Sequence, residues 1–402
     1  ERLFDVVVIG GGIVGLAAAR ALLDRDPSRS LALVEKEGRL GAHQTGHNSG
    51  VLHTGVYYRP GSLKSRLCAE GRRRMAGFCE EHGLPLRVSG KLIVAADRSE
   101  IPRLEKLQRR AAANGVSGVE RLGPAGITER EPHAAGVEAL WVPETGVVDF
   151  AAVAERLGQL LAEAGAEVIT GFGVDRIEWR GGTIVVGSGE RSVVGRFLVN
   201  AAGLHADVVA RLAGDDPPAR VVPFRGEYRV LAEEAAGLVR GLVYPVPDPR
   251  FPFLGVHFTR GVDEVVEVGP NAVPALGREH YRGTRADWRA FGEAAAYPGF
   301  QRLALRHLRS GLSEIAGSRS RRLYARRARR LIPAVRAGHL LPGGSGVRAQ
   351  AVLPDGTLAD DFVISGRGPF LHVISAPSPA ATAALSIGDH LADEAERRMG
   401  AG

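Results

Sequence analysis

The sequence predicts an α/β fold: a mostly parallel sheet assembled from three separated stretches, with an antiparallel-sheet domain inserted between them. Three observations predict it. The N-terminal residues run from a short apolar strand through a glycine turn, an Ala-rich helix and a second strand to an acid. A strand ending near residue 200 and a strand–helix pair near the C-terminus read as returning pieces of the same sheet. Between them, strands alternate from Val221 to Val268, as an antiparallel insertion would.

Asp5-Val-Val-Val-Ile9 is apolar enough for a buried strand, and Gly10-Gly-Gly-Ile-Val-Gly15 turns it into a helix from Ile13 to Leu23. Leu31-Ala-Leu-Val34 is the next strand and ends on Glu35-Lys36. Glycines at 10, 12 and 15 fit G-x-G-x-x-G, and Glu35 stands 20 residues beyond Gly15, where a ribose-binding acid belongs. Gly10 permits the tight turn, Gly12 lets a pyrophosphate approach the backbone, and Gly15 lets helix and strand pack closely. The unpaired N–H groups at the helix start would face the phosphates. Strand, turn, helix, strand and acid in that order identify a Rossmann-like dinucleotide-binding unit.

Downstream, the pattern predicts helices over 62–82, 100–113 and 150–164, and a strand at Lys91-Leu-Ile-Val-Ala95. Several short strands follow from Glu167 to Val199, and Arg196-Phe-Leu-Val-Asn-Ala-Ala-Gly203 runs into another helix. Arg-rich helices are expected between Ala286 and Arg330, then strands near 348–352, 362–365 and 371–375, and a helix over 378–397. The expected division is a discontinuous nucleotide-binding domain of 1–85, 145–220 and 340–402, with a substrate domain of 86–144 and 221–339.

Composition narrows the function. At 402 residues with 45% hydrophobic and 24% charged residues, the chain suits two packed domains and excludes a disordered protein. No apolar run reaches the roughly 18 to 20 residues of a membrane-spanning helix, and no signal peptide is read at the N-terminus. The net charge of +7 is lopsided, because only Lys36, Lys64, Lys91 and Lys106 among the 52 basic residues are lysine. Such a bias reflects arginine usage rather than nucleic-acid binding, so no nucleic-acid partner is expected. Cys68 and Cys79 fall on one expected helix, where 11 residues at ~1.5 Å rise separate them by ~16 Å, too far for a disulfide. A reducing, cytoplasmic compartment is expected, and no metal site: there is no Cys-based site and no H-E-x-x-H.

A second G-x-G-x-x-G is absent, and the nucleotide unit is discontinuous. That combination favours FAD held as a resident cofactor over exchangeable NAD. The longer motifs then resemble a known family. His43-Gln-Thr-Gly-His-Asn-Ser-Gly-Val-Leu-His53, Gly55-Val-Tyr-Tyr58, Pro60-Gly-Ser-Leu-Lys64, Pro223-Phe-Arg-Gly-Glu-Tyr228 and Tyr244-Pro-Val-Pro-Asp-Pro249 carry the likeness. So do Phe253-Leu-Gly-Val-His-Phe-Thr-Arg260, Val268-Gly-Pro-Asn-Ala272, Gly346-Val-Arg-Ala-Gln-Ala351 and Ala376-Pro-Ser-Pro-Ala-Ala-Thr382. Together they resemble the L-2-hydroxyglutarate oxidase or dehydrogenase branch of the D-amino-acid-oxidase-like flavoenzymes. The resemblance spans nearly the whole chain and departs from the wider superfamily at Ala349, where proline often follows the arginine.

The resemblance implies a Rossmann-like FAD-binding domain of the glutathione-reductase/D-amino-acid-oxidase type. It implies oxidation of an α-hydroxy dicarboxylate, with hydride passing from C2 to the flavin and electrons onward to a quinone or oxygen. The alternative is an FAD enzyme for another small hydroxy or amino acid. Carboxylates call for arginine, and those inside the shared motifs are Arg348, Arg225 and Arg260, with Gln44, Tyr58 and Tyr244 as further substrate contacts. A base near neutral pH calls for histidine, with His53 and His257 foremost and His43 and His47 also in the motifs. Flavin contacts are expected from Gly10, Gly12, Ile13, Val14, Glu35, Lys36 and the segment holding Thr45, His47, Asn48, Ser49 and Val51. Val174, Ala202, Gly203, Leu204, Ser378, Pro379, Ala380 and Ala381 complete that set.

One feature belongs to no shared motif. Residues 318–330 carry seven arginines among thirteen residues, with Leu323, Tyr324, Leu331 and Ile332 interleaved or adjacent. On a helix they could rest on an anionic bilayer beside membrane quinone, peripheral on the cytoplasmic face of the inner membrane. The plainer alternative is a solvated helix face.

Overall fold

The computed structural model describes residues 2–248, 254–271, 273–281, 287–306 and 320–400. Pro249, Phe253 and Ala272 of the shared motifs, with Ser318 and Arg319 of the basic run, lie outside them.

The glycine turn sits where the sequence places it. Strand Leu3–Ile9 pairs in parallel with Leu31–Val34 on one side and with Arg191–Asn200 on the other. The latter also pairs in parallel with Phe370–Ser375, and Leu31–Val34 with Glu167–Ile169. Alternate residues of the first strand face opposite cores. Val6 and Val8 pack with Leu16, Leu22 and Leu157 of the helices Ile13–Arg25 and Phe150–Glu163 and with Leu391 of the C-terminal helix, whereas Val7 and Ile9 face Phe172, Ile184 and Leu198. Covering both faces is what a parallel sheet requires, and it explains the unbroken apolar runs. All five parallel strands end on one side, so the turns after Ile9, Val34, Asn200 and Ser375 converge at one crevice.

Among the described residues the second sheet has nine strands. Its spine is the long antiparallel pair Arg220–Leu231 and Leu340–Val352, so residues 340–352, expected with the nucleotide unit, belong to this sheet instead. Gly343, Gly344 and Gly346, poor strand formers, obscure its first half in the sequence, leaving only the part near 348–352 to read as a strand. The sheet is also not purely antiparallel: Leu242–Pro245 runs parallel to Lys91–Ala95. Cys68 and Cys79 share the helix Leu63–Glu81 as free, buried thiols.

The basic run forms the helix Arg321–Ala328, capped by Ser320. Its interleaved apolar residues do not face outward. Tyr324, Leu331 and Ile332 are fully buried in the core of the second sheet, and the Tyr324 hydroxyl donates to the Val268 carbonyl at 2.9 Å. Of the four apolar residues, only Leu323 is exposed, and Arg330 pairs with Asp97 and Glu100. The apolar half of a bilayer-docking face is therefore core, because the helix uses those residues to cover the sheet. No helix among the described residues is long and apolar enough to cross a membrane.

Candidate active site

The crevice at the strand ends opens into a cavity of about 1180 Å³ that continues under the second sheet. Every residue expected at the flavin lines it, from Gly10 and Glu35 through Thr45, Asn48 and Val174 to Ser378 and Ala381. Gly10 has φ +111°, and a Cβ there would lie 2.5 Å from the Ala201 carbonyl oxygen. At Gly15 a Cβ would lie 2.1 Å from the Gly10 oxygen, so both glycines are forced by the protein's own backbone. Gly12 differs: its backbone is extended, and only Thr45 Oγ1, at 3.6 Å, comes near an added Cβ. The space beside Gly12 is thus kept open, and the helix it starts has no capping side chain. A pyrophosphate fits that combination of open space and helix N-terminus.

Glu35 braces the turn. Its carboxylate accepts from the Gly11 N–H at 2.7 Å and from the Glu37 N–H at 2.9 Å, yet it still lines the cavity. Thr45 Oγ1 accepts from the Ile13 N–H at 3.0 Å, which anchors the segment 45–51 to the glycine turn. Asn48 shapes that segment, its amide donating to the Gln44 and Thr45 carbonyls while its oxygen accepts from Gly50. Buried Asn200 holds the third turn, donating to the Ala206 carbonyl and accepting from the Ala202 N–H. At the far end Thr382 Oγ1 accepts from the His53 N–H at 3.0 Å and donates to the Val51 carbonyl at 3.1 Å. The final helix starts at Ala384 rather than near Ser378, since Pro377 and Pro379 hold the preceding residues in turns.

Two imidazoles line the other end of the cavity. His257 Nδ1 lies 2.8 Å from the Gly255 carbonyl oxygen, which can only accept, so that nitrogen carries the proton and Nε2 keeps its lone pair. Burial, with the nearby cations of Arg348 and Lys91, pushes His257 down to about 3. His53 is likewise pushed down to about 3 by burial, with Lys91 and His257 adding to the effect. Its Nε2 sits 3.4 Å from Ser378 Oγ, and Ser378 also meets the Tyr58 hydroxyl at 3.3 Å. Both rings are therefore neutral at physiological pH, as a proton acceptor must be.

Arg348 lines the cavity beside Tyr228, as do Gln44, Tyr58 and Tyr244. Tyr228 hydrogen-bonds Arg348 and Ser49. The other two arginines are elsewhere. Arg225 precedes Gly226 on a strand whose even residues Gly226 and Tyr228 face the cavity, so its side chain takes the opposite face and pairs with Glu227 at 2.7 Å. Arg260 alternates with His257 and Thr259 in the same way. It donates to the Val239 and Ala236 carbonyls and pairs with Glu264 at 2.8 Å, tying a short helix to a hairpin. Neither arginine lines the cavity.

Tyr228, Tyr57 and Lys64 are among the wall residues that sequence reasoning does not single out. The alternation that removes Arg225 brings Tyr228, three residues on, to the cavity once the strand's phase is known. His43 and His47 also line the cavity but are engaged by other partners. His43 meets Glu37 at 2.9 Å, and His47 stacks on Tyr281 with ring centroids 4.2 Å apart. Glu37, His43 and Glu279 approach one another as metal ligands might, but Lys36 Nζ lies 2.8 Å from His43 Nε2 and 2.7 Å from Glu279, and also bonds Glu37. An ammonium already holds that position. Although burial opposes it, hydrogen bonds from His205 and Lys36 keep Glu279 at about 2.

Comparison with known proteins agrees with this architecture. The sequence profile of the FAD dependent oxidoreductase (DAO) family matches residues 5–394. An L-2-hydroxyglutarate dehydrogenase of Indibacter alkaliphilus is 41% identical over 397 residues, covering 98% of this chain and all of that protein. The mitochondrial L-2-hydroxyglutarate dehydrogenase of Homo sapiens is 41% identical over 98% of this chain and 89% of its own length. Among solved structures, the L-alpha-glycerophosphate oxidase of Mycoplasma pneumoniae with FAD bound superposes with a TM-score of 0.79 at 22% identity, over all of this chain and 95% of that one. Glycine oxidase from Geobacillus kaustophilus gives 0.74 at 19% identity over 99% of this chain and 96% of its own. The chain belongs to the FAD dependent oxidoreductase family, and FAD is its cofactor.

Proposed function

We propose that this protein oxidises L-2-hydroxyglutarate to 2-oxoglutarate. The observation that carries the reading is one cavity lined by a guanidinium, Arg348, and by two neutral imidazoles, His53 and His257. The near full-length similarity to L-2-hydroxyglutarate dehydrogenases supplies the substrate. The chemistry FAD supplies when bound is acceptance of the hydride from C2 and delivery of two electrons to a quinone or oxygen.

Arg348 binds one carboxylate in its planar fork and so helps to turn the one C2 hydrogen toward the flavin. Tyr228, bonded to Arg348 and Ser49, keeps that fork in place. The hydroxyl proton passes to the His53–His257 pair, whose rings start neutral. Gln44, Tyr58 and Tyr244 close the walls around the substrate and exclude water. Any contact with an anionic bilayer rests on exposed arginines such as Arg322, Arg326 and Arg329, not on an inserted apolar face.

Because anchoring turns the one C2 hydrogen toward the flavin in only one enantiomer, reduction is stereospecific. Anaerobic stopped-flow mixing with each enantiomer tests this. The L form is expected to bleach the flavin at least ~100-fold faster than the D form, the discrimination that about 2.7 kcal/mol of misplacement provides. Equal rates would refute the reading. His53→Asn and His257→Asn, run in the same assay, show which imidazole of the pair takes the proton by which loses more rate.

A further inference from the structure

All four lysines of this arginine-rich chain lie at the cavity. Lys36, Lys64 and Lys106 line it, and Lys91 sits behind its wall. Lys91 opens the strand Lys91–Ala95, whose other residues are all apolar core, and is itself 1% exposed. Its Nζ lies 4.6 Å from the ring centroid of Tyr57 and 5.1 Å from that of Tyr244. Both rings line the cavity, as do His53 and His257, each of which feels the Lys91 charge. Among the described residues no carboxylate stands near enough to compensate it; the nearest titratable influence that favours its charge is the Cys68 thiol.

A buried cation without an anion is costly, and two aromatic faces offset only part of that cost. Leucine or methionine would pack this strand position more cheaply, so the charge serves something other than stability. Burial pushes the ammonium down to about 7, so an arriving anion is what would hold its proton in place. The substrate reading supplies such an anion. A dicarboxylate brings two negative charges, Arg348 answers one, and Arg225 and Arg260 are committed elsewhere.

We propose that Lys91 is a specificity-determining residue, whose ammonium supplies the positive potential for the second carboxylate across the Tyr57 and Tyr244 rings. The inference rests on the dicarboxylate reading of the same site. Lys91 touches neither substrate nor flavin and acts through the wall, so it selects dianions over monoanions of equal length.

The test compares glutarate with butyrate, which share a three-carbon aliphatic stretch and differ by one carboxylate. Each is titrated into the FAD-loaded protein while the flavin absorbance shift is followed. In Lys91→Met, glutarate binding is expected to weaken on the order of tenfold, since one charge acting in a low-dielectric site is removed. Butyrate should change by less than about twofold on the same argument, with flavin content retained and thermal stability not lowered. Lys91→Gln repeats the measurement should the methionine variant not retain flavin. Equal weakening of both ligands, or a preference for glutarate that survives in the variant, overturns the role of Lys91 alone. A wild-type protein that binds glutarate no better than butyrate overturns the dicarboxylate reading and the Lys91 assignment with it.

Discussion

Gly12→Val is expected to fold and to purify colourless. Its backbone is extended, a conformation valine adopts freely, and the nearest atom to a new Cβ is Thr45 Oγ1 at 3.6 Å. The protein therefore tolerates the side chain, but the space it fills is the approach to the helix N-terminus. Displacing a pyrophosphate from there forfeits two or more charge-assisted hydrogen bonds of about 1.5–3 kcal/mol each, a loss of ~10² or more in flavin affinity. Gly10→Ala and Gly15→Ala should behave differently. Their Cβ atoms would meet backbone oxygens at 2.5 and 2.1 Å, so these variants lose the fold itself. Flavin content by absorbance, set beside a circular-dichroism melt, separates the two classes. A yellow Gly12→Val protein with wild-type stoichiometry would contradict the placement of the phosphates.

Arg348→Met should retain flavin and lose substrate. Removing one partner of a buried, charge-assisted pair costs about 2–5 kcal/mol, so kcat/KM for the dicarboxylate should fall by ~30-fold to several thousand-fold. Arg348→Lys should recover only part of this, because an ammonium cannot form the planar two-pronged contact. Arg225→Met and Arg260→Met serve as internal controls. Their guanidiniums pair with Glu227 and Glu264 away from the cavity, so these variants should lower thermal stability and leave KM unchanged. Steady-state kinetics with an artificial acceptor, alongside thermal melts, decides the matter. A raised KM in Arg225→Met with an unaffected Arg348→Met would exchange the two roles.

These two variants also mark what could be read from the chain in advance. The flavin end was legible because its residues act through local spacing: Gly10, Gly12 and Gly15 on one turn, Glu35 at the next strand end, and Thr45 to Val51 in one segment. Each such spacing is fixed by a single turn or strand, so no pairing partner need be known. The substrate end was legible only by likeness, and there the errors collect. Arg225 and Arg260 sit in the shared motifs, but the face each takes depends on strand phase, which only the register against Leu340–Val352 and Val266–Gly269 reveals. Tyr228 was passed over for the same reason. Lys91 gave no local signal at all, because its meaning comes from Tyr57 and Tyr244, which reach it from other segments. The basic run misled in the opposite direction. Tyr324, Leu331 and Ile332 look available on a charged helix until the second sheet is there to cover them.

The most direct test of the account is an anaerobic titration of the yellow protein with L-2-hydroxyglutarate. One equivalent per flavin should bleach the absorbance completely and yield one equivalent of 2-oxoglutarate, with no change on adding the D enantiomer instead. A flavin that stays oxidised under L-2-hydroxyglutarate, while glycerol phosphate or an amino acid reduces it, would contradict the account at its centre.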